Sequence, residues 1–300
     1  MRTSRALLTV AALAGASVVV AAQSYVPQRV YASAPKRFAD FETLAAAIAK
    51  ADVVFVGEQH DNVDTHRIER ELLEAVQRRR SDVVLSLEMF ERDVQEPLAH
   101  FSMGHIEESE FLSEARPWTQ YARDYKPLVD FALAQNWSIV AANVPRDIAA
   151  AVSKSGTSAL DARPEAEQAW FAHDRECAPK GAYFDRFRDA MTGHEKDAPS
   201  MDAATLTRYY ESQCLKDETM AESIAQAYTA GSIGGKRPLV ISVNGSFHSD
   251  YGDGTVSRTR RRLPGKQIVV ITVLPVENLD TLKPDKDLRK RADWIVFTVK

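Results

Sequence analysis

Residues 52–60 read DVVFVGEQH. Val53 to Val56 is a short apolar run, rich in β-branched residues and without alternation. That is the pattern of a strand buried on both faces. The run stops at Gly57, and Glu58 and His60 follow at once. Such a strand delivers a carboxylate and an imidazole at its C-terminal end. The arrangement returns far along the chain in LVISVNGSFH, residues 239–248. There Leu239 to Val243 is the strand, Gly245 the break and His248 the histidine. Two buried strands that each end in Gly-x-x-His set the frame for everything else.

Outward from these, further strands are predicted at Val83–Leu87, Ser138–Ala142, Gln267–Val273 and Trp294–Val299. Helical spacing of apolar residues separates them. Leu44, Ala45 and Ile48 share one face within 41–50, and Ile68, Leu72, Leu73 and Val76 share one within 66–80. Asp61, Asn62 and Asp64 are helix-capping types ahead of the latter. Residues 91–136 read as helical, with breaks near Pro97, Gly104 and Pro117. Residues 147–231 show helical patterns at 164–176, 183–192 and 201–230 and no convincing strand, so a helical insertion, a lid or subdomain, is predicted before the fourth strand. Residues 23–37 carry Pro27, Pro35 and no periodicity, and 23–39 reads as a linker ahead of a single domain over 40–300. Strands alternating with helices imply an α/β fold with a mainly parallel central sheet flanked by helices.

In such sheets ligands bind beyond the C-terminal strand ends. Glu58 with His60, Glu88, Asn143 and His248 all sit just past those ends. His60, Glu88 and His248 make a two-histidine, one-carboxylate set that suits a transition metal with open positions. A neutral imidazole is equally a general base, and a nearby carboxylate orients it or shuttles protons. Structural roles stand beside each of these. Either histidine can bond a carbonyl, Glu58 can cap the following helix, and Asn143, before Val144-Pro145, can fix a turn. Tyr251, in SFHSDYGDG, offers a phenolate that can hold ferric haem, or packs as a loop aromatic. Arg67 and Arg70 read as a solvated helix face, as do Arg258, Arg260, Arg261 and Arg262, which could otherwise meet anionic lipid or a partner. His66, His100, His105, His173 and His194 lack a matching partner and read as surface or helix-face residues. No nucleophile elbow, phosphate loop or His-Glu-x-x-His is present.

The ends and the composition bound the setting. A formal charge of −4 argues against a general nucleic-acid binder. Arg2 and Arg5 precede an apolar stretch from Ala6 to Val20, and Val20-Ala21-Ala22 supplies small residues before Gln23. That is the layout of a cleaved signal peptide over 1–22, the alternative being an uncleaved anchor. A periplasmic or secreted protein is expected. Its two cysteines, Cys177 and Cys214, would then form one disulfide or stay as two buried thiols.

The stretches VVFVGEQHDNVDTHR, LSLEMFERDVQ, YKPLVDFALAQNWSIVAANVPR, QCLKDETMAESIA and VNGSFHSDYGDG, in that order, resemble the ChaN-like haem-binding uptake family of the Tiki/TraB/erythromycin-esterase-type superfamily. The similarity runs over roughly residues 40–275. It implies an α/β core with a helical insertion and an exported protein of haem or iron uptake, with haem held between two subunits. An outer-membrane receptor or transport component and a homodimer are the partners it suggests. By position the superfamily's paired motifs and strand-borne glutamate are His60, Glu88 and His248. In other branches of the superfamily such residues serve metal-dependent proteolysis or esterolysis. The lipid-anchor cysteine of some relatives has no counterpart after the apolar run. Three readings follow. The first is an exported haem- or iron-complex-binding protein, with iron contacts among His60, His248 and Tyr251 and with Asn143 beside them. The second is a hydrolase with a divalent transition metal, in which His60 or Glu58 is the base and Glu88 and His248 hold metal or water. The third is a non-catalytic scaffold.

Overall fold

The structure, a computed structural model, describes residues 26–178, 180–193 and 201–300. The expected signal segment, the first residues of the expected linker (23–25) and His194 lie outside the described residues.

The apolar runs form one eight-stranded sheet. In chain order its strands are β1 (Gln28–Ala32), β2 (Arg37–Ala39), β3 (Val53–Glu58), β4 (Val83–Glu91), β5 (Ser138–Asn143), β6 (Leu239–Gly245), β7 (Ile268–Val276) and β8 (Trp294–Val299). Across the sheet they run β2-β1-β8-β7-β3-β6-β4-β5. The six strands from β8 to β5 are parallel, and β1 and β2 are antiparallel additions at one edge. The two Gly-x-x-His strands, β3 and β6, are therefore direct neighbours, and β4, which bears Glu88, flanks β6.

The helices are α1 (Phe41–Ile48), α2 (Val63–Gln77), α3 (Gln95–Ser102), α4 (Glu108–Ala115), α5 (Tyr121–Asp124), α6 (Lys126–Ala134), α7 (Arg146–Ser155), α8 (Ala182–Thr192), α9 (Ala203–Gly231) and α10 (Gly254–Arg262). Asn62 caps α2, its side chain accepting from the Thr65 N–H at 2.8 Å. Every residue of β3 and β6 is buried because helices cover both faces. On one face Leu72, Leu73 and Leu128 pack against Val54, Val56 and Ile241. On the other Ile224, Tyr228 and Val256 pack against Phe55, Val240 and Phe297. Burying an aliphatic side chain of this size contributes about 1.5–3 kcal/mol.

Four expectations change. The 23–39 linker contains β1 and β2. Pro27 lies just before β1 and Pro35 in the turn between them, so the prolines punctuate a hairpin whose Val30, Tyr31 and Ala32 are buried. β4 does not end at Leu87 but continues through Glu91, with a register slip against β5 after Leu87. The helical pattern over 164–176 yields only a single 3-10 segment, Glu165–Trp170. The 147–231 segment, expected as a lid or subdomain, is in good part a layer of the fold: α9 packs on the sheet, and α8 with Gln213 of α9 stands over the strand ends. A disulfide joins Cys177, in the loop before α8, to Cys214 on α9. Closing that loop restricts the unfolded chain and contributes about 3–4 kcal/mol in the chain-entropy view. No helix among the described residues is long and apolar enough to cross a membrane.

Candidate functional site

The two glycine turns make room for one another. β3 and β6 pair Gly57 with Asn244 and Glu58 with Gly245. A Cβ on Gly57 would stand 2.8 Å from Ser249 Oγ and 3.1 Å from the Ser246 backbone, in the second motif. A Cβ on Gly245 would stand 2.6 Å from His60 Nε2, in the first. Each motif needs glycine because the other motif's polar residues occupy the space above it. The result is a cleft of about 530 Å³ at the C-terminal ends of β3 and β6. Its floor carries Glu58, His60, Gly245 and His248, and Phe187, Met191 and Phe247 give it apolar walls.

Glu58 and His60 form one half. Glu58 is buried, and its carboxylate bonds the His60 Nδ1 and accepts from the Tyr125 hydroxyl at 2.7 Å. Glu58 does not cap α2; Asn62 does that. Trp118 packs edge-on against the His60 ring at 4.9 Å. The His60 side chain stays 42% exposed, and its Nε2 has no hydrogen-bond partner among the described residues. Burial would lower the affinity of His60 for a proton, but the Glu58 bond and the charges of Glu88 and Glu58 outweigh it and raise its pKa.

His248 and Glu88 form the other half. The His248 side chain is only 8% exposed, and both its ring nitrogens face carboxylates. Nδ1 donates to Asp217 at 2.7 Å, and Nε2 lies 3.3 Å from Glu88 Oε1. Burial opposes the charge on His248, yet Glu88 and Asp217 raise its pKa to about 10. It is an imidazolium at neutral pH. Burial would likewise raise the Glu88 carboxyl. The His248 and His60 charges and the Gly245 N–H, which donates to Glu88 at 2.7 Å, hold it down at about 2. Asp217 is satisfied in turn by the Tyr183 hydroxyl at 2.6 Å and the Thr255 hydroxyl at 2.9 Å.

Positions 60, 88 and 248 therefore meet on one rim, around Gly245. They do not close into one metal shell, because both nitrogens of His248 are engaged by carboxylates. Among the described residues, the three-donor group within 4.8 Å of one another is Glu58, His66 and Glu69. This corrects the reading of His66 as a surface or helix-face residue without a matching partner. It is buried on the core face of α2, with Nδ1 3.0 Å from Glu69 Oε2 and 3.4 Å from Glu58 Oε2. Its Nε2 donates to the His60 carbonyl at 3.1 Å. Burial, with the neighbouring charges of Glu58 and Asp124, pushes the Glu69 carboxyl well above its usual range.

Two candidates lie apart. Asn143 spends its side-chain oxygen on the Val144 N–H at 2.9 Å and does not line the cleft, so the turn role is the one present. Tyr251 lines a separate cavity with Arg260 and Arg291, and Arg186 stacks on its ring at 4.3 Å. Of the arginines of α10, Arg260 is exposed but the other three are not a solvated run. Arg258 is buried, and Arg258, Arg261 and Arg262 converge on the buried Glu218. Arg67 is exposed and pairs with Asp64, while Arg70 is half-buried against Glu74 and the Pro127 carbonyl. His105 and His173 are exposed and His100 half-buried.

Comparison with known proteins agrees with this architecture. Residues 44–259 match the model of the family described as haem-binding uptake, Tiki superfamily, ChaN. Among solved structures, ChaN of Campylobacter jejuni, determined with cofacially bound haem, superposes with a TM-score of 0.69 at 18% identity. That superposition covers 91% of this chain and 97% of the other and shows a shared fold. The chloroplastic protein RETICULATA-RELATED 5 of Arabidopsis thaliana is 26% identical over 248 residues, 76% of this chain. The match spans 32%, about a third, of that plant protein's own length. The family match covers most of the chain and carries both Gly-x-x-His turns, so this protein belongs to the ChaN-like haem-binding family of the Tiki superfamily.

Proposed function

We propose that this protein is an exported haem-binding protein of iron uptake and that His60 meets the iron. The observation that carries the residue assignment is the asymmetry of the two histidines. Only His60 combines an exposed ring, an Nε2 without a protein partner and an Nδ1 held by a carboxylate. That is the arrangement of a ligating histidine, whose second nitrogen is oriented by an acceptor. His248 has no lone pair to give while both nitrogens serve carboxylates.

The residues fit haem in other respects. The apolar walls from Phe187, Met191 and Phe247 suit a flat hydrophobic macrocycle. Bound haem would supply an iron centre with ligand positions on both ring faces. The protein would supply the imidazole, hold it through Glu58 and Tyr125, and exclude water on the α8 side. The cleft is open, so a bound ring would leave one face for a second copy of the chain, an outer-membrane receptor or a transport component. The N-terminal arginines and apolar run, with the Cys177–Cys214 disulfide, support export to an oxidising compartment.

Titrating purified protein with hemin tests the reading. A saturable Soret shift at an integral hemin-to-protein ratio is expected. No shift at stoichiometric hemin would overturn it. Chelator-sensitive ester or peptide hydrolysis in the same preparation would favour the hydrolase instead.

A further inference from the structure

Behind the cleft floor, three buried groups able to ligate a metal, Glu58, His66 and Glu69, face one another. His66 Nε2 lies 3.1 Å from the His60 carbonyl, which can only accept. Nε2 therefore carries a hydrogen, and Nδ1 is the ring nitrogen turned toward the two carboxylates. Nδ1 faces Glu69 Oε2 at 3.0 Å and Glu58 Oε2 at 3.4 Å. Glu58 Oε2 and Glu69 Oε1 are buried and make no hydrogen bond. Buried carboxylate oxygens this close together are unfavourable unless a proton or a cation lies among them. The adjacent Asp124 takes both contacts of Arg123, at 2.7 Å each, and lies 3.6 Å from His66 Nε2.

The geometry points to a divalent transition cation, zinc or manganese, held by Glu58, His66 and Glu69. Ligands about 2.0–2.2 Å from a tetrahedral ion stand roughly 3.3–3.6 Å from each other, against 3.0 and 3.4 Å from His66 Nδ1 to the two carboxylates. One imidazole with two carboxylates suits a borderline-to-hard divalent ion. The Nε2–H bond to a backbone carbonyl is the outer contact that fixes the tautomer of a metal-binding histidine. Glu58 reaches the cleft, which gives the ion a path inward. The same carboxylate holds His60 through its other oxygen, so the ion would stiffen the His60 support from behind. This site adjoins the cleft through Glu58 and does not depend on haem as the ligand.

The rival to a metal is a proton shared between Glu69, Glu58 and His66. Cobalt(II) titration of chelator-stripped protein separates the two, using the visible bands of the bound ion. Wild type should saturate at one equivalent. Glu69→Gln should weaken binding at least about tenfold, the scale set by losing even an outer contact of a metal ligand. His66→Asn, whose amide can still donate to the His60 carbonyl, should do the same. His60→Ala should keep its one equivalent, because His60 is not a ligand of this ion. Element analysis of protein purified without chelator should find about one zinc or manganese per chain. The assignment is overturned if stripped wild type takes up no cobalt. It is equally overturned if Glu69→Gln binds as tightly as wild type, or if His60→Ala is the variant that loses the ion. Glu69→Gln can itself donate to His66 Nδ1, so under a shared proton this variant stays folded and metal leaves the wild-type melting point unmoved, a result that also counts against the assignment.

Discussion

The two Gly-x-x-His turns share a pattern and differ in environment. His60 is 42% exposed with one nitrogen free, whereas His248 is 8% exposed with both nitrogens bound. The cause is what each turn faces. The first opens toward the gap between α8 and Trp118. The second is backed by α9, which brings Asp217 under the ring, and by β4, which brings Glu88. A repeated motif thus yields one imidazole for a ligand and one that holds the rim together by charge. Sequence repetition at equivalent strand ends is no guarantee of equivalent roles.

The sharpest way to break that contrast is to delete each histidine and compare stability. His248→Ala removes the cation that lies between the buried carboxylates of Asp217 and Glu88 and should cost about 3–5 kcal/mol. His60→Ala leaves Glu58 one partner short and should cost less, about 1–2 kcal/mol. Urea unfolding of both variants reads the difference, and equal losses would dissolve the distinction. Next in size is Gly57→Ala, whose Cβ would strike Ser249 Oγ and the Ser246 backbone. Overpacking there should cost about 1–3 kcal/mol and should also displace the second turn, visible as a changed His248 ring signal in NMR.

The pH dependence sharpens the same comparison. His248 is raised from an ordinary 6.5 to about 10, so its contribution is complete below pH 6.5 and is lost as pH rises through 10. Glu88 is depressed from an ordinary 4.5 to about 2, so its contribution is complete above pH 4.5 and is lost as pH falls through 2. The pair should therefore stabilise most between pH 4.5 and 6.5. The unfolding free-energy gap between wild type and His248→Gln, measured against pH, should be widest in that window and shrink toward pH 10. A flat gap would show that His248 does not carry the charge. The smallest effect is expected at Arg67, exposed and paired only with Asp64, where alanine should change stability by less than about 0.5 kcal/mol.

Much of this was legible in the residues. The β-branched runs at Val53–Val56 and Leu239–Val243 announced buried parallel strands, and the terminal glycines announced the turns. β1 and β2 were harder, since Pro27 and Pro35 mask a hairpin whose edge position tolerates proline. Glu88 belongs to the rim as expected, but Asn143 and Tyr251 do not, because proximity to a strand end leaves the direction of a side chain open. Asp217 was missed, although it interrupts the buried run Leu215, Met220, Ala221, Ile224 on α9, where an acid signals a buried partner. His66 and Glu69 were missed although positions 66, 69, 73 and 76 trace the core face of α2. An ionisable group on an apolar helical stripe was the available sign, and it was outweighed by the stronger strand-end pattern.

The most direct test of which imidazole meets the ligand is a hemin titration of wild type and His60→Ala in parallel. The ferric complex would be followed by its Soret band and its electron paramagnetic resonance. Wild type should saturate with an imidazole-ligand signature. His60→Ala should bind at least about tenfold more weakly, a loss of about 1.4 kcal/mol, and lose that signature. Unchanged affinity and spectrum in His60→Ala would contradict the assignment of His60 as the iron contact.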